Sequence, residues 1–172
     1  VPTTSTTLQL SIGDALAIAV MKYKKFSQLD FKKFHPAGSL GLKLKTVEDL
    51  MLIKDKIPFI NENKTIDEGL RVTNIKKLGV LIAINNQKVT TGIFTDGDIK
   101  RALQKKIITK KSIIKKFMTK SPISIEKDTL AAKALNIMNE NKITSLCVYK
   151  NGNSKKTIGI IHIHNILSSN IN

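Results

Sequence analysis

Two stretches of this chain match each other, and the match limits the folds open to both. Gly92-Ile93-Phe94 and Gly159-Ile160-Ile161 each follow an apolar run, Leu78 to Ile84 in one case and Ile143 to Tyr149 in the other. A polar turn lies between run and strand: Asn85-Asn86-Gln87 in the first copy, Asn151-Gly152-Asn153 in the second. Two apolar runs joined by such a turn read as a buried β-hairpin. Upstream the match continues. Val47 to Met51 pairs with Ile114 to Met118, Ile57-Pro58-Phe59-Ile60 with Ser121-Pro122-Ile123-Ser124, and Thr65 to Leu70 with Thr129 to Leu135. Each copy closes with a short helix, Asp96 to Gln104 and His164 to Ser169. Each copy is a unit of roughly 60 residues. Each copy reads strand, helix, strand, strand, helix, which makes a sheet with helices on one face. A unit this small buries too little surface alone, so the two copies are expected to pack together. The fold class is α/β (α+β).

Ahead of the repeat lies a segment of different character. Pro2 to Thr7 is rich in hydroxyls, and Thr6 or Thr7 is suited to cap a helix. Leu8, Ile12, Ala15, Leu16, Ala19, Val20 and Tyr23 then recur at spacings of three and four, predicting a helix from about Thr7 to Lys25 with one apolar face. Nothing between this helix and the repeats offers a long partner for that face. Ser27 and Asp30 have capping-box spacing for a second, short helix with Phe31 and Phe34 as its apolar contacts. His35-Pro36 ends it, and Gly38 and Gly41 permit an irregular loop. The chain starts at Val1 rather than Met, so it is expected to come from a longer protein.

Composition narrows the partners. The formal net charge is +16, but lysine carries nearly all of it, since Arg71 and Arg101 are the two arginines. The lysines fall in scattered pairs, and there are two tyrosines and no tryptophan to stack on bases. That argues for solvated helix faces rather than nucleic-acid binding. No apolar run is long enough to span a bilayer. The single cysteine, Cys147, sits in an apolar run and reads as a buried thiol in a reducing, cytoplasmic setting. Neither a metal nor another cofactor is expected; His162 and His164 lack a nearby ligand set.

The chemistry concentrates at Gly92-Ile93-Phe94-Thr95-Asp96-Gly97-Asp98-Ile99. Thr95 stands where a helix begins, and free backbone N–H groups there favour an anion. Asp98 could accept hydrogen bonds from a ribose diol. Both residues also have a purely structural reading, Thr95 as an N-cap and Asp98 as a first-turn carboxylate. In the second copy His162 replaces the threonine and Asn165 the aspartate, which weakens the case for a nucleotide there.

The repeat resembles the CBS domain, whose signature runs Gly-apolar-apolar-Thr-x-x-Asp-apolar and which occurs in tandem pairs. The order of Pro2 to Thr7, Gly13-Asp14-Ala15-Leu16-Ala17, His35-Pro36-Ala37-Gly38-Ser39-Leu40-Gly41 and the CBS pair resembles the C-terminal half of the D-arabinose 5-phosphate isomerases. Those are sugar isomerase (SIS) proteins with an appended CBS pair. Ala37 stands where members more often carry glycine. The resemblance implies residues 1–44 as the tail of a SIS domain, 45–108 as the first CBS domain and 112–172 as the second. It implies interconversion of D-ribulose 5-phosphate and D-arabinose 5-phosphate for Kdo and lipopolysaccharide synthesis, with His35 as a catalytic residue. It further implies a homotetramer, with a nucleotide or nucleotide-sugar held at the CBS pair by Thr95, Asp96 and Asp98. The remaining catalytic groups would lie upstream of Val1, so this portion alone is expected to be inactive. The alternative is a stand-alone nucleotide-sensing module with no enzymatic activity.

Overall fold

The computed structural model describes residues 1–27, 30–31, 34, 44–104, 107, 109–150, 152–153 and 155–169. The chain divides into two compact units, Val1–Leu44 and Lys45–Asn172.

In the first unit, helix α1 runs Thr3–Tyr23 and starts a turn earlier than the sequence predicts. Its N-cap is Pro2, with no side-chain cap. Thr6 and Thr7 lie inside the helix instead, each donating its hydroxyl to the Thr3 carbonyl at 2.9 Å. A threonine that finds an acceptor three or four residues back does not have to end the helix. The one-sided apolar face also needs correcting. Leu8, Ile12 and Leu16 are joined on other sides by Leu10, Ile18 and Met21, all exposed, and no residue of α1 is buried. Helices that are apolar around most of their circumference belong inside larger structures. After α1, the Ser27–Asp30 capping box forms. The Ser27 N–H donates to Asp30 Oδ2 at 3.0 Å and the Asp30 N–H to Ser27 Oγ at 3.2 Å. Phe26 and Phe34 stack with ring centres 6.1 Å apart. His35 and the loop through Gly41 lie outside the described residues.

The second unit holds α2 (Val47–Leu50), β1 (Leu52–Ile53), β2 (Phe59–Asn61), α3 (Ile66–Lys76), β3 (Val80–Ile84), β4 (Thr90–Thr95) and α4 (Asp96–Gln104). It continues with β5 (Thr119–Lys120), β6 (Ser124–Glu126), α5 (Ala131–Asn141), β7 (Ser145–Tyr149), β8 (Thr157–His162) and α6 (Ile163–Leu167). Two four-stranded sheets result, ordered β2-β3-β4-β5 and β1-β8-β7-β6. The hairpins fall as the sequence predicts, β3 with β4 and β7 with β8, both antiparallel.

The leading segments are exchanged. Strand β1, from the start of the first repeat, pairs with β8 of the second; β5, from the start of the second, pairs with β4 of the first. Val47 therefore packs with Leu146, Val148 and Ile161, and Ile114 with Leu81, Ala83 and Phe94. Neither hydrophobic core closes without a residue from the other repeat, so burial is shared between them. Glycines admit the exchanged strands. A Cβ on Gly92 would lie 2.7 Å from Met118 Sδ, and one on Gly159 would lie 2.5 Å from Met51 Sδ.

Strand alternation divides the remaining side chains between cores. Leu81 and Ala83 join the first repeat's core, while Val80 and Ile82 meet Cys147 and Ile160 between the sheets. Cys147 is buried as the sequence predicts, and that burial raises its thiol to about 11, so it stays protonated and unreactive.

The register also corrects the alignment of the repeats. Ile82 N–H donates to the Pro58 carbonyl and Cys147 N–H to that of Ile123, so Pro58 corresponds to Ile123 rather than to Pro122. Phe59 likewise matches Ser124. The first repeat has room for this because Asp55 and Lys56 extend a 3-10 turn, Lys54–Lys56, that the second lacks. The shared left-handed backbone at Lys54 and Ser121 marks where the two paths diverge.

Candidate functional site: a cleft between the repeats

An open cleft of about 530 Å³ lies where the first repeat's hairpin meets the second repeat's leading segment. Its walls include Gly79, Thr95 to Asp98 and Arg101 from the first repeat. The opposite wall includes Ser121, Pro122 and Lys142 to Ser145. The strand exchange builds it. Strand β5 lies beside β4, with Ile93 opposite Thr119, and the left-handed turn at Ser121 then carries the chain toward β6.

The structure brings all three expected ligand residues, Thr95, Asp96 and Asp98, to this cleft. It also shows their structural duties. Thr95 donates its backbone N–H and its hydroxyl to Asp98 Oδ2, at 2.9 and 2.8 Å, and accepts the Asp98 N–H at 3.2 Å. This is a capping box. Thr46 with Asp49 and Thr65 with Glu68 form similar boxes elsewhere. The Thr-x-x-Asp spacing is thus a general device of this chain. What distinguishes Thr95 and Asp98 is that their helix begins at an open cleft.

Two neighbours shape that helix start. Gly79 has φ of +63° and accepts the Asp96 N–H at 3.0 Å; a Cβ there would lie 2.9 Å from Asp96 Oδ2. Arg101 reaches back one turn, and its guanidinium meets Asp98 Oδ1 at 2.6 Å. A Cβ on Gly97 would be 3.4 Å from the same guanidinium, which therefore lies against the first turn.

The sequence reading overlooked Arg101, Ser121, Thr144 and Ser145. For Thr144 a signal existed: the repeat places it opposite Gly79, and each carbonyl accepts the first N–H of the repeat's last helix, Asp96 or Ile163. For Ser121 there was none, because only the strand exchange brings it to the cleft.

The corresponding helix start in the second repeat is built differently. His162 Nδ1 accepts the His164 N–H at 3.3 Å, and Asn165 Oδ1 accepts the His162 N–H at 3.3 Å. The cap survives without its carboxylate. Burial, then the neighbouring His164, holds His162 below the usual imidazole range, consistent with a neutral ring whose Nδ1 accepts. Beside the matching turn, the Lys76 ammonium donates to the Asp55 carbonyl. No cluster of three or more His, Cys, Asp or Glu side chains that could hold a metal occurs among the described residues. No helix among them is long and apolar enough to cross a membrane.

Comparison with known proteins gives this geometry its context. Residues 108–171 match the CBS domain family. The chain is 40% identical over 168 residues to the arabinose 5-phosphate isomerase KdsD of Francisella tularensis, covering 96% of this chain and 50% of that protein. It is 34% identical over 171 residues to the arabinose 5-phosphate isomerase KdsD of Escherichia coli K12, covering 99% of this chain and 51% of that protein. The chain thus spans about half the length of the curated relatives it matches. Among solved structures, CBSX2 in complex with AMP superposes with a TM-score of 0.61 at 26% identity, over 72% of this chain and 94% of that one. The CBS domain pair of MJ0100, in complex with 5-methylthioadenosine and S-adenosyl-L-methionine, shares the fold with a TM-score of 0.63 at 19% identity, over 73% of this chain and 94% of that one. The chain is thus similar, over nearly its whole length, to about half of proteins named arabinose 5-phosphate isomerase, and residues 45–172 have the fold of a CBS pair.

Proposed function

We propose that this chain is the C-terminal part of a sugar-phosphate aldose–ketose isomerase and that its repeat pair is a nucleotide-responsive module. The intact protein would interconvert D-ribulose 5-phosphate and D-arabinose 5-phosphate, feeding Kdo and lipopolysaccharide synthesis. The observation that carries this reading is the match at 40% identity across 96% of the chain to a protein named for that activity. Isomerisation moves a proton between adjacent carbons and needs a positioned acid or base. His35, in the His-Pro-Ala-Gly segment, is the candidate this chain supplies. The exposed, nearly all-round apolar surface of α1 fits a helix that belongs inside a larger domain. The same reading includes a homotetrameric, cytoplasmic enzyme with residues 1–44 as the tail of its SIS domain.

In this reading the cleft between the repeats takes an adenine nucleotide or a related nucleotide. The helix start at Thr95 would face its phosphate and Asp98 its ribose diol. The AMP complex of CBSX2, a protein of the same fold, supports the ligand class. The test is to express the protein from its full reading frame and assay ribulose 5-phosphate isomerisation with and without His35→Asn. The reading expects turnover that His35→Asn abolishes while the protein still folds. Absence of turnover, or full turnover in the variant, contradicts it. In the first of those outcomes, nucleotide binding without isomerisation would favour the second reading, a stand-alone sensing module.

A further inference from the structure

We propose that Arg101 occupies the cleft as an internal counter-ion and that a ligand enters by exchange, taking Asp98 with its ribose diol and Arg101 with its phosphate. This rests on the reading of the cleft as a nucleotide site and adds how that site chooses among nucleotides and nucleosides.

Three observations carry it. First, Asp98 has no idle oxygen. Thr95 engages Oδ2 through its N–H and hydroxyl, and Arg101 engages Oδ1 at 2.6 Å. A diol that hydrogen-bonds this carboxylate must share or displace a partner. Second, the paired groups differ in exposure. Asp98 is mostly covered, with 14% of its side chain exposed, whereas Arg101 is 68% exposed and can swing away. Thr95, fixed in the backbone of the helix start, cannot. Third, the guanidinium lies against the first turn of the helix that opens on the cleft, its Nη1 3.4 Å from where a Cβ on Gly97 would stand.

A nucleoside offers only the diol. To reach Asp98 it would compete with Arg101 for Oδ1 and offer that cation nothing but water in exchange. A nucleotide supplies the replacement, because the planar guanidinium pairs with phosphate as readily as with carboxylate. Arg101 would therefore discriminate against the uncharged ligand twice, by guarding Asp98 and by holding the phosphate. The second repeat has none of these parts: Asn165 stands for Asp98 and Ser168 for Arg101.

The test is calorimetric titration of the whole chain with AMP and with adenosine, for wild type, Arg101→Gln and Arg101→Lys. Wild type should prefer AMP by about tenfold or more, in keeping with the loss of one charge-assisted pair. Arg101→Gln should bind AMP more weakly and adenosine more tightly than wild type, so that the preference collapses; Arg101→Lys should fall between. The rise in adenosine affinity is the deciding sign, because a merely supportive Arg101 would not produce it. Adenosine affinity that stays the same or falls in Arg101→Gln overturns the exchange and leaves the cleft reading intact. If wild type takes neither ligand, the cleft reading itself fails, and the exchange with it.

Discussion

Thr90 and Thr157 hold the same place in the two repeats and hydrogen-bond to each other. Their hydroxyl oxygens are 2.8 Å apart, and the Thr157 N–H donates to Thr90 Oγ1 at 3.3 Å. Each is the first residue of the strand that carries its repeat's glycine, β4 or β8. Equivalent residues that touch each other mark the local two-fold relation between the copies. The two threonines thus tie together the sheets that the strand exchange interlocks.

Removing either hydroxyl should weaken that tie. Thr157→Val should cost ~1 kcal/mol, the usual net worth of one hydrogen bond, and Thr90→Val more, because the Thr157 N–H then also loses its acceptor. The double variant should cost less than the two losses added, because one interaction cannot be lost twice. Urea unfolding of the four proteins measures this. Full additivity would mean that the bond is unimportant.

Gly92 and Gly159 should tolerate alanine to different degrees. Each new Cβ collides with a methionine sulfur, but at Gly92 it also lies 2.8 Å from the Thr119 carbonyl oxygen, whereas at Gly159 the nearest backbone oxygen, of Leu52, is 3.1 Å away. A side chain can yield where backbone cannot. Both substitutions should destabilise by ~1–3 kcal/mol, as overpacking does. Met51→Ala should relieve Gly159→Ala more fully than Met118→Ala relieves Gly92→Ala. Thermal melts of the paired variants decide it, and equal rescue would contradict the packing described.

Two groups give opposite signatures of type but the same direction in acid. His162 is held below its ordinary value of 6.5 mainly by burial. The unfolded chain therefore takes up its proton first, and stability falls as pH drops below about 6.5, levelling beneath the folded value. Glu62 is held below 4.5, first of all by Lys115, whose ammonium meets it at 2.7 Å. Its contribution is present above 4.5 and is lost as pH falls through the folded value. His162→Thr should flatten the stability profile just below about pH 6.5 and leave the loss below pH 4.5 in place. Glu62→Gln should do the reverse. Urea unfolding midpoints across pH measure both, and a profile unchanged by His162→Thr would contradict the neutral cap.

Much of the second unit was legible in the sequence, because repeated apolar runs, turn residues and the span of α4 are local signals. The exchange of β1 and β5 was not. Each is two residues long, too short for any periodicity, and its partner is set by the other repeat. The repeat alignment slipped for a related reason: Pro58 and Pro122 look equivalent, yet the Lys54–Lys56 turn displaces one path relative to the other. At the site, Thr95 and Asp98 stood out by motif, but a capping box and a ligand site use the same spacing. The open cleft is what sets this box apart from those at Thr46 and Thr65. For α1 the spacing of Leu8, Ile12 and Leu16 suggested one face; the exposed Leu10 and Ile18 show how much more of the surface is apolar.

In the proposed reading one cleft, at the Thr95–Asp98 end of the pair, would bind nucleotide and its counterpart at His162–Asn165 would not. Calorimetric titration of AMP into the chain, beside Thr144→Phe, tests it most directly. Thr144 is an exposed residue of the cleft wall outside the Thr95–Asp98 cap, so phenylalanine there fills the cleft without disturbing the helix start. Wild type should take up one AMP per chain and Thr144→Phe none, with both proteins melting alike. Two equivalents per chain, or undiminished binding to the filled cleft, would contradict it.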